Sequence, residues 1–408
     1  MHQPSVKRLL SVPVLVAALG YFVDIYDLLL FGIVRIPSLR DLNLSDAQVS
    51  SVGASILNWQ MTGLLFGGIL WGMLGDKKGR LSVLFGSILT YSLANISCGL
   101  VEEVGTYKLL RFIAGVGLAG ELGAGITLVS EILPKQLRAL GTSLVAGIGL
   151  LGAVVAYFTA EYVTWRTAYF VGGGLGVSLL VMRVGVFESN TFQQLQQQKH
   201  VKRGSFISLF TNMDRLGRYL ACIGIGFPTW FVIGILTTFS NEFGQAKGIV
   251  GEIQPGLAIM WCYVGLALGD FASGLISHQL RSRRKAVLLL MLVALVRCIL
   301  FLFIPVQYAR SFYGLCLMMG VGIGYWALFV TIAAEQFGTN LRATVTTTVP
   351  NMVRGSVVGM TALYGALKLP YGILQAGAWV GLLCFIVGFT SILVISESHN
   401  RELDFLEK

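Results

Sequence analysis

Charged side chains stand inside long apolar stretches of this sequence. Asp24 and Asp27 lie in one such stretch, Arg111 and Glu121 in a second, and Arg354 in a third. If these stretches cross a membrane, each charge costs roughly 2.5–3.5 kcal/mol to insert, so it should face a cavity or a partner. Charges placed in this way mark the paths of protons and charged solutes, and the competing interpretation is a structural ion pair that holds helices together.

Two of these carboxylates, Asp24 and Asp27, are three residues apart and share one face of a helix. Two carboxylates this close resist ionising together, which suits a group that takes up and releases a proton. Arg111 lies about 4 residues and Asp27 about 7 residues from the same predicted interface, which at ~1.5 Å per residue gives them a similar depth. The sequence therefore predicts proton coupling by Asp24, Asp27 and Arg111, with Glu121, deeper in its helix, as an alternative proton site.

A fixed positive charge near the middle of an apolar stretch is suited to holding an anion. Arg354 is too far inside its stretch to reach either interface easily, and arginine binds carboxylates in a fork. Asn351 lies about one helical turn before it on the same face. Polar and aromatic residues in other stretches are further candidates for contact with a substrate, against the alternative of core packing or anchoring at the interface. These are Asn58, Gln60, Trp230, Tyr325 and Trp326.

The residue types that enzymes and cofactor sites need are not grouped in this sequence. The four histidines lie in or near polar segments, and the six cysteines form no close pair typical of a metal or redox site. Residues 115–120 match the pattern GxGxxG, but they lie inside an apolar stretch rather than between a strand and a helix, so close helix packing explains them better. We therefore expect no catalytic residue, no metal and no cofactor.

The apolar stretches themselves indicate a membrane protein. The chain has 408 residues, of which 55% are hydrophobic and 12% charged, whereas a soluble domain carries roughly 25% charged residues. A bilayer core of ~30 Å needs roughly 20 apolar residues in a helix, and lipid offers no partner to an unpaired backbone group, so the spans should be helices. The sequence predicts an all-α membrane protein of twelve transmembrane helices, called spans 1 to 12, at residues 12–34, 50–74, 81–101, 107–131, 140–160, 166–186, 218–240, 254–278, 286–305, 311–335, 344–367 and 372–395.

The basic residues between the spans are unevenly distributed. If the N-terminus is inside the cell, 19 of the 30 lysines and arginines fall in inner segments and 7 in outer segments. The positive-inside rule then predicts a multi-pass protein of the cell's inner membrane with both termini in the cytoplasm. The net charge of +10 is thus a topology signal rather than a nucleic-acid footprint. Expected partners are the lipid bilayer, a small-molecule substrate and protons, but no nucleic acid, and we expect a monomer.

The two halves of the chain repeat one another. Residues 131–139, after span 4, and residues 335–343, after span 10, share the pattern Glu-x-x-(Pro/Gly)-x-x-x-Arg-Ala. Upstream, the triplet Gly-Val-Gly at residues 115–117 recurs at residues 320–322. Internal repeats are a frequent plan of secondary transporters. We predict an N-terminal six-helix bundle over residues 1–186, a cytoplasmic linker over residues 187–217 and a C-terminal six-helix bundle over residues 218–408.

These motifs resemble the major facilitator superfamily, and the resemblance covers essentially the whole chain. Residues 75–80, Gly-Asp-Lys-Lys-Gly-Arg, are similar to that superfamily's signature after span 2, and residues 111–121 resemble its span 4 signature. Tyr26-Asp27 and residues 131–138 resemble the branch of proton-coupled metabolite symporters and sugar porters. The resemblance implies two pseudo-symmetric bundles, with spans 1, 4, 7 and 10 lining a central cavity and alternating access by rocking of the halves.

A cluster of charges at the inner ends of the spans recurs in both halves and resembles the inner gate of that superfamily. Pairs among these charges would lock the halves together when the outside is open, and the alternative is a role in topology alone. Each surface pair contributes only ~0–1 kcal/mol, but a network of them is enough to bias two conformations. The predicted gate consists of Asp76, Arg80, Glu131, Arg138, Asp270, Arg284, Glu335 and Arg342.

The residues favour one function, with two alternatives. The leading hypothesis is a secondary active transporter, a proton-coupled symporter of a small, carboxylate-bearing organic metabolite. The first alternative is a proton-coupled exporter of cationic or amphipathic compounds, in which Asp24 and Asp27 bind the cation and aromatic rings stack on it. The second, from a different class, is a non-transporting membrane sensor or enzyme.

Overall fold

The computed structural model describes residues 10–78, 80–123, 125, 129, 133, 135–187 and 206–398. In the N-terminal half, the helices are Val12–Asp41 (span 1), Asp46–Lys78 (span 2), Arg80–Cys98 (span 3), Val104–Leu118 (the first part of span 4), Lys135–Tyr162 (span 5) and Trp165–Phe187 (span 6). The C-terminal half begins with a short 3-10 helix, Phe206–Leu209. Span 7 consists of four pieces: Met213–Ile225, Phe227–Phe231, the π-helix Val232–Thr237 and Ser240–Ala246. The other helices of this half are Pro255–Leu280 (span 8), Arg283–Phe303 (span 9), Ala309–Ile323 with Trp326–Glu335 (span 10), Thr339–Gly355 with Val357–Tyr371 (span 11) and Ile373–Val394 (span 12). This is the predicted all-α architecture of two six-helix bundles.

The molecule has two ends, called the linker end and the far end. The linker end is where span 6 ends at Phe187 and span 7 begins at Met213. The far end carries the turns that join span 1 to span 2 and span 11 to span 12. The long helices therefore run from one of these ends to the other.

Eight described helical segments are long and apolar enough to cross a bilayer on composition alone, and spans 2, 3, 4 and 11 are not among them. Span 11 is the clearest case, because Thr344, Thr348, Asn351 and Arg354 interrupt its apolar character. All four of these side chains are buried. A polar helix at membrane depth must face protein rather than lipid, so the first helix of span 11, Thr339–Gly355, lies inside the molecule.

The same helix contact is built twice, once in each half. Gly63 and Gly67 of span 2 lie against carbonyl oxygens of span 4, and Gly265 and Gly269 of span 8 lie against carbonyl oxygens of span 10. A side chain at any of the four would collide with that backbone, so small residues let the helices approach closely. The recurrence of this contact six spans later confirms the repeat that the sequence indicated.

The glycines of the repeated Gly-Val-Gly triplet, the first copy of which starts the GxGxxG pattern, lie on the other side of these contacts. Gly115 faces span 2 and Gly117 faces span 3, while Gly320 faces span 8 and Gly322 faces span 9. All four approach main-chain atoms of the neighbouring span. The pattern is therefore a helix-packing feature, as its position in an apolar stretch indicated.

The bundles meet along two helix pairs, span 2 with span 11 and span 5 with span 8, and span 1 also contacts span 8. Three of the spans in the C-terminal bundle are interrupted near their middle. Span 7 breaks at Gly226 before Pro228 and then forms a π-helix, span 10 breaks at Gly324 and span 11 breaks at Ser356. Broken helices at membrane depth are tolerated where they are buried in protein or line a cavity, and such sites commonly bind substrates.

Candidate functional site

Two opposite charges face each other across the boundary between the bundles, Asp24 of span 1 and Arg354 of span 11. Arg354 Nη2 lies 3.5 Å from Asp24 Oδ2, and the two side chains are 1% and 0% exposed. Arg354 stands immediately before the break in span 11, close to the middle of the molecule. The sequence singled out both residues but did not predict that they pair. Each bundle thus supplies one member of a buried ion pair.

Much of the bonding capacity of this pair is unused. Both carboxylate oxygens of Asp24, and Nε and Nη1 of Arg354, have no hydrogen-bond partner among the described residues. Oδ1 of the neighbouring Asn351 also has no hydrogen-bond partner among the described residues. A buried donor or acceptor without a partner costs about 1–3 kcal/mol, more if it is charged. The arrangement is therefore suited to a ligand that brings its own acceptors to the guanidinium.

Indole rings form an apolar wall beside the guanidinium. The Trp230 ring centroid lies 5.8 Å from Arg354 Cζ, and the Trp230 and Trp326 rings are 6.4 Å apart. Both tryptophans are buried. The wall gives the non-polar part of a ligand a surface next to the charge. Tyr325, predicted with them, instead donates from its hydroxyl to Ile225 O at 3.1 Å and fixes the break of span 10 against span 7.

The predicted polar residues of spans 2 and 11 differ in what they face. Asn351 Nδ2 donates across the boundary to Ala119 O at 2.8 Å, and Asn58 Oδ1 accepts from Thr361 Oγ1 at 2.5 Å, also across it. Gln60 lies within the N-terminal bundle, where its Nε2 donates to the main chain of span 1. The first two are thus at the boundary, and Gln60 is not.

Asp27 and Arg111 lie together, as their depth predicted, but inside the N-terminal bundle. Arg111 Nη2 donates to the backbone oxygen of Asp27 at 3.1 Å and Nη1 to Asn95 Oδ1 at 2.8 Å, and Arg111 Cζ lies 5.5 Å from the Tyr169 ring. The Asp27 carboxylate faces Gly172 of span 6, and its oxygens have no hydrogen-bond partner in the described part of the chain. Arg111 therefore contacts the main chain of Asp27 rather than its carboxylate. A coupling role for the pair stays a prediction.

Glu121, the alternative proton site, is paired with Arg183 of span 6. Arg183 Nη1 donates to Glu121 Oε2 at 3.0 Å and Nη2 donates to Oε1, and both side chains are buried. A side chain at Gly20 of span 1 would collide with both partners. This geometry favours the structural interpretation, an ion pair that holds spans 4 and 6 together. Sequence reasoning missed Arg183, although a lone arginine in an apolar span is a visible signal.

Half of the predicted gate lies outside the part of the chain that the structure describes. Glu131, and the side chains of Asp76, Arg80 and Arg138, lie outside the described residues. This half of the gate stays a prediction.

The other half makes contacts within the C-terminal bundle. Asp270 Oδ1 accepts from Ala327 N at 3.0 Å and caps the second helix of span 10. Asp270 therefore lies well inside the membrane rather than at the inner end of its span, where the gate was predicted.

Glu335 pairs with Arg283 at 2.6 Å. The remaining two donate to carbonyl oxygens: Arg284 to Ile392 and Leu393, and Arg342 to Ala334 and Phe337. These bonds hold the ends of spans 9 to 12 to each other.

Polar contacts that the sequence did not predict join the bundles at the far end. Arg35 of span 1 donates from Nη2 to Thr238 O at 3.0 Å and to Asn241 Oδ1 at 2.9 Å. Its Cζ also lies 4.7 Å from the Phe239 ring. Arg35 is fully buried. Span 1 is therefore tied to the end of span 7.

A second group extends these contacts to spans 2 and 11. Glu242 accepts from Ser50 Oγ at 2.5 Å, from Lys368 Nζ at 2.6 Å and from Tyr364 OH at 3.2 Å. Because Ser50 belongs to the N-terminal bundle and Lys368 to the C-terminal bundle, Glu242 links the two. The far-end cluster is defined as Arg35, Ser50, Asn241, Glu242, Tyr364 and Lys368.

Comparison with known proteins agrees with this architecture. The family model described as Major Facilitator Superfamily matches residues 17–362. A putative metabolite transport protein of Haemophilus influenzae is 28% identical over 95% of this chain and 96% of its own length. The sialic acid transporter NanX of Escherichia coli is 25% identical over 97% of this chain and 94% of its own length.

Among solved structures, the transporter FucP in its outward conformation resembles this fold. Its TM-score is 0.68 at 15% identity, and the match covers 94% of this chain and 98% of that chain. It supports the predicted arrangement of twelve transmembrane helices in two pseudo-symmetric bundles. The family match and the relatives are of transporters, not of enzymes.

Proposed function

This chain belongs to the Major Facilitator Superfamily, and from that premise we propose that it is a proton-coupled symporter of a small, carboxylate-bearing metabolite. The observation that carries the proposal is the buried pair of Asp24 and Arg354 at the boundary between the bundles. A substrate that both bundles must contact can be exposed to either side of the membrane when the bundles rock.

The substrate carboxylate binds Arg354. The guanidinium has two nitrogens without a hydrogen-bond partner in the described structure, and its planar fork matches a carboxylate. Trp230 and Trp326 then cover the remainder of the molecule. The E. coli relative is named as a transporter of sialic acid, an organic acid, which supports this class of substrate.

The proton binds Asp24. When a substrate carboxylate takes the guanidinium, Asp24 loses its partner, and an unpaired carboxylate in a buried site is strongly disfavoured. Protonation removes that charge. Before binding, the site is neutral because Asp24 and Arg354 form an ion pair. After binding, it is again neutral, because Asp24 is protonated and a substrate monoanion pairs with Arg354. Substrate and proton therefore bind together, which is the requirement for symport.

Alternating access separates and rejoins the bundles at their ends. The far-end cluster holds them together at the far end, so this end must open by breaking it. We assign the linker end to the cytoplasm of a bacterial inner membrane, because the sequence predicts 19 of the 30 basic residues in segments on that side. The far-end cluster is then an outer gate.

Transport by purified protein in proteoliposomes tests the proposal. A panel of radiolabelled organic acids, with sialic acid first, is offered at equal internal and external pH and with an imposed inward proton gradient. We expect uptake of at least one acid to be accelerated by the gradient and abolished by a protonophore. Uptake of organic cations instead of acids, or uptake of an acid that ignores the gradient, would contradict the proposal.

A further inference from the structure

We propose that an anionic phospholipid binds in a groove at the linker end, between the start of span 9 and the end of span 12. The groove has a volume of about 470 Å³, within the range of small-molecule sites. Its polar side is formed by Arg281, Arg284 and Lys285, and its apolar side by Leu288, Ile392 and Leu393. The proposal is independent of the transported substrate, because none of these residues contacts Asp24 or Arg354.

Two of the three cations are available to a ligand. The side chains of Arg281 and Lys285 are exposed, and within the described residues they form no hydrogen bond or ion pair. Arg284 is engaged with two carbonyl oxygens of span 12. Glu397 also lines the groove, but its carboxylate accepts from Ser282 Oγ and from the first amides of span 9. The groove thus has three basic residues and one acidic residue, and the acidic side chain is already hydrogen-bonded to the start of span 9. The groove therefore carries a net positive charge.

The turn between spans 8 and 9 fixes the position of these cations. Only Arg281 and Ser282 separate Leu280 from Arg283, and Arg281 has a left-handed backbone with φ of 48°. Ser282 caps span 9 by accepting from the amide of Lys285. Arg281 therefore projects from the turn and Lys285 from the first turn of the span 9 helix, four residues later, close to the membrane interface.

An apolar surface continues from the groove towards the middle of the membrane. Leu289, Leu292 and Val296 of span 9 recur at helical spacing and are exposed, as are Ile386 and Leu393 of span 12. In a chain that spans a bilayer, such a surface is covered by acyl chains. A positive rim at the headgroup level above this surface matches the phosphate of a phospholipid whose acyl chains lie along the two spans. Basic pockets between spans on the cytoplasmic side commonly hold anionic headgroups.

Lipid retention by purified protein tests the proposal. Detergent-solubilised protein is equilibrated with phosphatidylglycerol or phosphatidylcholine of identical acyl chains, and bound lipid is counted by native mass spectrometry. We expect preferential retention of phosphatidylglycerol. In the double variant R281Q/K285Q its affinity should fall by about tenfold or more, while R281K/K285R should retain it.

The variant Arg310→Gln is the matched control, because it removes an exposed arginine from the far end and should leave retention unchanged. Thermal unfolding of each variant verifies that the fold is intact. Equal retention of the two lipids, or unchanged phosphatidylglycerol retention in R281Q/K285Q, would overturn the proposal. Displacement of the lipid by millimolar inorganic phosphate would also overturn it, because the groove would then be a phosphate site rather than a lipid site.

Discussion

Asp24 Oδ2 and Arg354 Nη2 lie 3.5 Å apart, one on each side of the boundary between two six-helix bundles, and both side chains are buried. Burial of a lone charge is strongly unfavourable, whereas a pair of opposite charges partly offsets its own desolvation. Any change that removes one partner therefore acts on the other. The first two predictions follow from this dependence.

Loss of the guanidinium should remove substrate binding. For Arg354→Gln we expect the affinity for the transported acid to fall roughly 10- to 150-fold, since hydrogen bonds to charged groups contribute about 1.5–3 kcal/mol. Arg354→Lys should also weaken binding, because an ammonium does not reproduce the planar fork. Binding is measured by the ligand-induced shift in thermal unfolding. A normal shift in both variants would show that the carboxylate binds elsewhere.

Neutralising Asp24 should separate binding from coupling. In Asp24→Asn the substrate no longer competes with a carboxylate for Arg354, so binding should be retained and should lose its dependence on pH. Uptake driven by a proton gradient should fall to the background, while exchange of labelled for unlabelled substrate should persist. The two transport modes are compared in the same proteoliposomes. Asp24→Asn protein that still accumulates substrate against its gradient would contradict the assignment.

The buried pair of Glu121 and Arg183 should contribute to stability rather than to coupling. Removing one partner of a buried pair costs about 3–5 kcal/mol, because the other charge is left unpaired. Glu121→Gln and Arg183→Met should therefore each lower the thermal unfolding temperature, and the double variant should recover part of the loss. Proton-driven uptake, normalised to folded protein, should change little. A stable Glu121→Gln protein without proton-driven uptake would make Glu121 a proton site instead.

Breaking the far-end cluster should favour the conformation that is open at the far end. Lys368→Met leaves Glu242 without one of its three donors, and Glu242→Gln leaves Lys368 without its ion-pair partner. We expect faster maleimide labelling of N58C, a cysteine between the bundles, in either background. The six native cysteines are buried, so their contribution to labelling should be small.

The charge swap E242K/K368E is the control for that experiment, because it restores an ion pair in reverse. Its labelling rate at N58C should return towards that of the parent protein. Equal labelling rates in the parent and in both single variants would show that the cluster has no part in closing the far end.

The sequence was sufficient for the architecture because that information is local. Apolar stretches define helices, and glycines at fixed spacing along one helix, such as Gly63 and Gly67, define where a neighbour can approach. The repeat then follows from comparing one half with the other. Buried charges such as Asp24 and Arg354 are equally visible, since each is out of place in its own stretch.

The partners of those charges could not be predicted, because they depend on packing between distant spans. Depth along a helix correctly brought Arg111 near Asp27, but it could not show that the guanidinium reaches the main chain instead of the carboxylate. Glu242 and Lys368 lie in different spans of the second half and gave no signal of contact in the sequence. The rotation of each helix about its axis decides such pairs, and a single sequence does not contain it.

Proton uptake on substrate binding tests the central claim most directly. Purified protein in weakly buffered detergent solution is titrated with the acid identified by the uptake panel, and the released or absorbed protons are followed with a pH indicator. The account predicts uptake of about one proton for each substrate bound, at a pH where Asp24 is ionised in the empty protein. In Asp24→Asn the same titration should give binding without proton uptake. Binding by the parent protein without proton uptake, or equal uptake in Asp24→Asn, would contradict the exchange of Asp24 for a substrate carboxylate on Arg354.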